Sequence, residues 1–168
     1  METLPSMWRA ELWHPMVVHF PIVLLLGAAL ARLFWHGLSC SRGKVALAMS
    51  RVMLYVGLVF AWLAVYTGTV ADSTVGRTVC DPTVLEAHEQ AGFIIGYLFS
   101  AATLIDLFDV FSISFTSRMG HRWKRWVVTL LLVGGSLYVG YAAHLGATLV
   151  YQQSAGVYQP TEGCTEFE

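Results

Sequence analysis

Charged side chains are scarce in this sequence of 168 residues, whose net charge is −1. Asp, Glu, Lys and Arg make up 12% of it, against roughly 25% in ordinary globular proteins. Hydrophobic residues make up 56%, and the mean hydropathy is +0.59. We therefore expect the solvent of most of the chain to be lipid, and we expect no nucleic-acid partner.

Several other features are missing from the sequence. No repeat, low-complexity tract or linker divides it, so its length predicts one domain. The N-terminal segment lacks the basic region and cleavage site of a removable signal peptide, which predicts that the first helix is retained. No C-x-x-C-H motif is present, which excludes covalent c-type haem. No nucleophile with a base and an orienting group is evident, so hydrolysis is not proposed.

Four apolar runs are long enough to cross a bilayer, which takes about 20 helical residues. They cover residues 15–35, 45–71, 84–108 and 126–151. The connections between them are short and polar or contain glycine. The sequence therefore predicts an all-α integral membrane four-helix bundle over residues 1–168, with a short tail at 152–168.

The charged residues are segregated by side, and basic residues concentrate on the cytoplasmic side of membrane proteins. Eight of the ten basic residues flank the first and third connections: Arg32, Arg42, Lys44, Arg51, Arg118, Arg122, Lys124 and Arg125. Nine of the eleven acids fall on the other side: Glu2, Glu11, Asp72, Asp81, Glu86, Glu89, Glu162, Glu166 and Glu168. This pattern predicts that both termini face outward, which in a bacterial inner membrane means the periplasm.

The cysteines agree with this topology. Cys80 and Cys164 fall on the predicted oxidising side, and Cys40 lies alone on the reducing side. We predict a disulfide between Cys80 and Cys164, with two free thiols as the alternative, because pairing geometry cannot be read from sequence.

Three of the predicted helices bring histidines to one layer near the outer face. These four are His14, His19, His88 and His144. The other two, His36 and His121, fall at the cytoplasmic boundary. Ionisable groups inside a membrane usually face the bundle interior and have a function. Haem ligation is the first interpretation, a bare metal or quinone site the second, and structural hydrogen bonding the third.

Glycines beside the histidines favour haem b, which needs two axial imidazoles and flat space for the porphyrin. Gly92 and Gly96 follow His88 at i+4 and i+8, and Gly140 precedes His144 at i−4. Such glycines either make room for a planar cofactor or pack helices closely. The ligand pair is predicted to be His88 with His144, or His19 with His144.

The stretch HPMVVHFPIVLLLG places His14 and His19 five residues apart, roughly 140° around an α-helix. They cannot both face one partner in a regular helix. Pro21 removes a backbone bond beside His19 and is expected to open space there. We therefore interpret His19 as a candidate ligand or a hydrogen-bonded core residue. We expect His14 to lie at the membrane interface. The functional alternatives are that it binds a haem propionate or a quinone head group, or serves as a fourth ligand.

Acidic residues near the ends of the third helix have two interpretations each. Glu86 and Glu89 flank His88 and are either solvated first-turn residues or acceptors that orient the imidazole. Asp106 and Asp109 are expected to pair with the basic third connection, and a proton relay is the alternative.

The elements HPMVVHFPIVLLLG, AHEQAG and GYAAHLGATLVYQQSAGV resemble a bacterial membrane family known as domain of unknown function 2231, from His14 to Val157. Some members are joined to Rieske-type or other redox domains, so the resemblance implies an electron-transfer context. Many members carry a His-Gly pair after LVY, where this chain has Gln153 and Ser154. If that histidine is a ligand in the relatives, this chain uses His144 instead or has lost the site.

These features together predict a b-type cytochrome-like protein that passes electrons between quinol and a redox partner. It is expected to act alone or as a subunit of a respiratory or photosynthetic complex. The alternatives are a copper, zinc or iron site built from the histidines with Glu89, and a structural accessory subunit of a membrane complex.

Overall fold

The chain is an antiparallel bundle of four long helices in a computed structural model. The structure describes residues 8–38, 40–111 and 118–157, apart from the side chains of residues 40 and 118–122. After a 3-10 turn at Ala10–Leu12, the helices are α1 (Trp13–Gly37), α2 (Cys40–Val75), α3 (Pro82–Phe111) and α4 (Arg118–Gln153). These described ranges contain no strand, and all four helices are long and apolar enough to cross a membrane, which confirms the predicted fold class.

Each helix is longer than the apolar run that predicted it. The largest extensions are five residues at the start of α2 and eight at the start of α4. Apolar composition marks only the segment that lies in hydrocarbon, whereas the helical backbone continues into the polar boundary regions, where its end groups meet water. Helix α1 also continues through Pro21.

Helix α3 begins with a side-chain cap. Asp81 precedes Pro82, and its Oδ1 atom accepts hydrogen bonds from the Thr83 hydroxyl at 2.6 Å and the Thr83 backbone N–H at 2.9 Å. Proline suits the first helical position because its missing N–H would have no partner there. The hydroxyl and the N–H of Thr83 lower the pKa of the exposed Asp81 carboxyl. The start of α3 is therefore fixed at the boundary, six residues before His88.

The backbones form two hairpins, α1 with α2 and α3 with α4, in an up-down-up-down order. Within the described residues, the diagonal helices α1 and α3 make no close backbone contact. They meet through side chains at both ends of the bundle, His14 with His88 and Arg32 with Asp106. Both side-chain contacts therefore lie on the bundle axis.

Alanines are frequent in the interior, and many large apolar side chains are exposed on the outside. Phe99 is fully buried against Gly135, where an added Cβ would lie 2.8 Å from the Phe99 ring. Leu130 and Leu104, in contrast, are 68% and 62% exposed. Close packing on small residues with large side chains facing lipid is the pattern of membrane helix bundles. The glycine at 135 is required because no larger residue fits beside Phe99.

Candidate functional site

His14 and His88 come together at one end of the bundle. His14 lies in the first turn of α1 and His88 in the second turn of α3. Because these helices run in the same direction, their N-terminal ends share one end of the bundle. The centroids of the two imidazole rings are 6.0 Å apart, and their planes are nearly perpendicular at 86°. Both residues are half-buried.

A backbone carbonyl of a neighbouring helix fixes each ring. The Nδ1 atom of His14 lies 2.9 Å from the Ala64 carbonyl oxygen, and Nδ1 of His88 lies 3.0 Å from the Ala142 carbonyl oxygen. A carbonyl only accepts, so Nδ1 carries the hydrogen in each neutral ring and Nε2 carries the lone pair. Neither Nε2 atom has a hydrogen-bond partner among the described residues. This arrangement sets an imidazole for metal ligation through Nε2.

Two glycines bring the rings close to helix backbone. A Cβ atom added at Gly68 would lie 3.2 Å from Cε1 of His14, and one added at Gly146 would lie 3.1 Å from Cε1 of His88. Both distances are shorter than ordinary van der Waals contact. Neither glycine was among the sequence-predicted site residues, although each is four residues from a residue that matters here: Gly68 from Ala64 and Gly146 from Ala142.

The structure does not bring His19 or His144 to this pair. Both are exposed on the outer surface of the bundle. His19 Nδ1 lies 2.6 Å from the Pro15 carbonyl oxygen of its own helix, and the His144 carbonyl oxygen accepts a bond from the Thr148 hydroxyl. Ligation by His19 or His144 therefore remains a prediction to which the observed ring contacts lend no support.

The predicted glycine face packs helices instead of lining the histidine pair. An added Cβ at Gly96 would lie 3.0 Å from the Trp62 ring, and one at Gly92 would meet Val65 at 3.7 Å. Both contacts are with α2, so these glycines follow the alternative packing interpretation. Gly140 is exposed and has nothing within 4 Å of an added Cβ.

The acids beside His88 are solvated. Glu86 and Glu89 are exposed, and Glu86 accepts a hydrogen bond from the Gln90 side chain at 3.1 Å. Among the described residues, neither carboxylate forms a hydrogen bond or an ion pair with the His88 ring. The described residues contain no group of three or more His, Cys, Asp or Glu side chains suited to one metal ion. Within the part of the chain that the structure describes, His14 and His88 are therefore the two imidazoles brought together at this end of the bundle.

A buried ionic network occupies the opposite end of the bundle. Asp106 of α3 accepts hydrogen bonds from Arg32 of α1 at 2.6 Å, Arg51 of α2 at 2.9 Å and the Tyr55 hydroxyl at 2.7 Å. The side chains of Arg32 and Asp106 are 0% and 1% exposed. Asp109 extends the network, with Arg125 of α4 at 3.2 Å. The network therefore joins all four helices.

The expected pairing of these aspartates was correct for Asp109 and wrong for Asp106. Arg125 belongs to the third connection, as predicted, but Asp106 pairs with Arg32 and Arg51, which the sequence assigned to the flanks of the first connection. The helix ends that carry these residues meet at one end of an antiparallel bundle. An arginine inside the apolar run 15–35 was the available signal, because a buried cation requires a partner.

The boundary residue His36 also has a fixed environment. Its ring stacks on Trp126 at a centroid distance of 4.1 Å, and its Nε2 lies 3.1 Å from Thr129 Oγ1. The Thr129 hydroxyl donates its hydrogen to the Arg125 carbonyl at 2.8 Å, so His36 is the donor in the bond to Thr129. His36 thus packs α1 on α4.

The predicted disulfide remains a prediction. Cys80 is exposed in the connection between α2 and α3, and Cys164 lies outside the described residues.

A family model described as "Predicted membrane protein (DUF2231)" matches residues 12–159. The chain belongs to this family. Its histidine pair, its ionic network and all four helices lie within the matched range. Neither a curated protein nor a solved structure shows significant similarity. This membership confirms the predicted family and the prediction of a membrane protein. It does not identify a reaction.

Gln153 ties the end of α4 to the start of α3. Its Oε1 atom accepts a hydrogen bond from the Asp81 backbone N–H at 2.9 Å. Ser154 follows with a φ of 55°, in the left-handed region that favours glycine. Gln153 therefore links the end of α4 to the connection that precedes α3.

Proposed function

We propose that this DUF2231 protein is a membrane-bound, b-type cytochrome-like electron carrier whose haem is held between His14 and His88. The observation that carries the proposal is the pair of rings on the bundle axis, each with Nδ1 bonded to a carbonyl and Nε2 available. Haem bound at this pair would supply one-electron redox chemistry. The His14 and His88 side chains would hold it through their Nε2 atoms.

The separation of the rings fits this role. Two imidazoles that bind one metal ion through nitrogens at about 2.0 Å would have ring centroids about 6 Å apart. The observed separation is 6.0 Å. The ligand count also favours haem, because a porphyrin supplies four nitrogens and leaves two positions for protein. A two-coordinate copper(I) ion also fits a lone pair of imidazoles, and it is the second candidate.

The hydrogen bonds from Nδ1 to the Ala64 and Ala142 carbonyls would keep both imidazoles neutral and leave each Nε2 available to the metal. Partial burial would limit water at this end of the bundle, whereas His14 and His88 remain partly exposed. The pair lies at one end of a membrane core roughly 30 Å thick, so electron exchange is expected with a partner at that same face. Quinol and a redox protein or larger complex are the proposed partners.

The proposed setting is a bacterial inner membrane with both termini in the periplasm. It rests on the basic residues that flank the first and third connections. In this orientation the histidine pair faces the periplasm and the ionic network faces the cytoplasm.

The decisive experiment is the reduced-minus-oxidised absorbance spectrum of the purified protein, with elemental analysis of iron and copper. We expect sharp bands of six-coordinate haem and about one iron per chain. Stoichiometric copper without a haem spectrum would support the second candidate. A protein that is folded but binds neither haem nor metal, even after incubation with each, would contradict both.

Replacing Gly146 by valine tests whether the glycine positions His88. The added side chain begins 3.1 Å from the His88 ring, and a branched Cβ cannot turn away from it. We expect at least a tenfold loss of bound haem, comparable to the loss of a residue that orients a metal ligand. Gly140→Val is the matched control, because nothing lies within 4 Å of that position on the same helix. Equal haem binding by the two variants would contradict the positioning role.

A further inference from the structure

An open groove of about 340 Å³ lies between α1 and α2, beside their short connection. Small residues form its floor, with Gly27 and Ala31 on α1 and Ala46 on α2. Phe34 and Met49 line its sides and are 63% and 50% exposed. The groove is therefore an apolar channel on the outer surface of the bundle, separate from the histidine pair and from the ionic network.

The groove has the length of one membrane leaflet. Gly27 lies ten residues before Gly37, the last residue of α1, which corresponds to about 15 Å along the helix. This is half of a hydrocarbon core of roughly 30 Å. A chain lying along the groove would run from the boundary to the middle of the membrane.

A single cation stands at the boundary end of the groove. Arg42 is the only charged residue in its lining, and it is exposed. It makes no ion pair with any residue the structure describes. The connecting sequence LSCSRGK, residues 38–44, adds Lys44 and contains no acid. The polar end of the groove therefore complements an anion.

We propose that the groove binds an anionic phospholipid of the inner leaflet, with one acyl chain along Gly27 and Ala31 and the phosphate at Arg42. A leaflet-length apolar groove favours this occupant, because Arg42 at its polar end has no ion-pair partner among the described residues. A quinone has a neutral head and would leave Arg42 unpaired. Basic pockets at the cytoplasmic boundary recognise anionic headgroups in this way.

Native mass spectrometry of the intact protein tests the proposal with palmitoyl-oleoyl phosphatidylglycerol and the zwitterionic phosphatidylcholine of the same chains. We expect the wild type to retain the anionic lipid in preference. Arg42→Gln should reduce that preference about fivefold, which corresponds to one basic residue near the membrane surface. Ala31→Leu should reduce retention of both lipids, because its side chain fills the floor of the groove.

Arg77→Gln is the matched control, since Arg77 is also exposed but lies beyond the opposite end of α2. Thermal unfolding of each variant shows whether it is folded. Equal loss of preference in folded Arg42→Gln and Arg77→Gln would overturn the headgroup contact. Wild-type retention by folded Ala31→Leu, or a stable dimer that buries the groove, would overturn the groove as a lipid site.

Discussion

Substituting alanine for His88 is expected to remove the spectrum of six-coordinate haem while the protein remains folded. The Nε2 atom of His88 is one of the two nitrogens available on the bundle axis, and no third protein ligand of the described chain stands beside it. His14→Ala should have the same effect, since the pair acts together. The measurement is the reduced-minus-oxidised spectrum and the haem content per chain.

The exposed histidines provide matched controls for this prediction. His19 and His144 are both exposed on the outer surface of the bundle. We expect His19→Ala and His144→Ala to keep the wild-type spectrum. Loss of the spectrum in His144→Ala, with retention in His14→Ala, would contradict the assigned pair and restore the pairing that the sequence favoured.

Replacing Asp106 by alanine is expected to destabilise the bundle by about 3–5 kcal/mol, the range for removing one partner of a buried ion pair. Arg32 is fully buried and would lose its carboxylate. The Arg51 and Tyr55 side chains would lose the same acceptor. Equilibrium unfolding in mixed detergent micelles measures the change.

Two further variants distinguish the buried charge from the packing around it. Tyr55→Phe removes only one hydrogen bond to the carboxylate and should reduce the free energy of unfolding by about 2 kcal/mol. The double variant Arg32→Met with Asp106→Leu should be more stable than Asp106→Ala, because it leaves no unpaired charge at Arg32. A double variant less stable than Asp106→Ala would show that the unpaired charge of Arg32 does not cause the loss of stability.

The sequence predicts the membrane fold well because composition alone determines it. An apolar run of some 20 residues has few alternatives to a membrane helix, since every backbone group must find its partner inside the segment. Helix ends are less predictable. Helix α4 begins at Arg118, eight residues before its apolar run, because polar residues can extend a helix beyond the segment that hydropathy marks.

The choice of histidines could not be made in the same way. Spacing places His14 and His19 on different sides of α1 but does not give the rotation of that helix about its axis. Pro21 favoured His19, whereas the packing of α1 on α2 turns His14 inward to the Ala64 carbonyl. The positions of Gly68 and Gly146, opposite the rings, depend on contacts between helices and leave no periodic signal within either helix.

The same limit applied to Asp106. Its partners Arg32 and Arg51 come from helices far away in the sequence, and charge counting assigned both to the membrane boundary. An arginine such as Arg32 can both mark the cytoplasmic side of a membrane protein and form a buried ion pair. Its position in the sequence therefore could not show which of these roles it has.

Helices α1 and α3 carry a side-chain contact at each end. The two contacts are 18 residues apart on each helix, which is about 27 Å along the axis. Axial sliding of one helix past the other by a single residue would disturb both contacts at once. The two contacts therefore fix the axial register of α1 relative to α3.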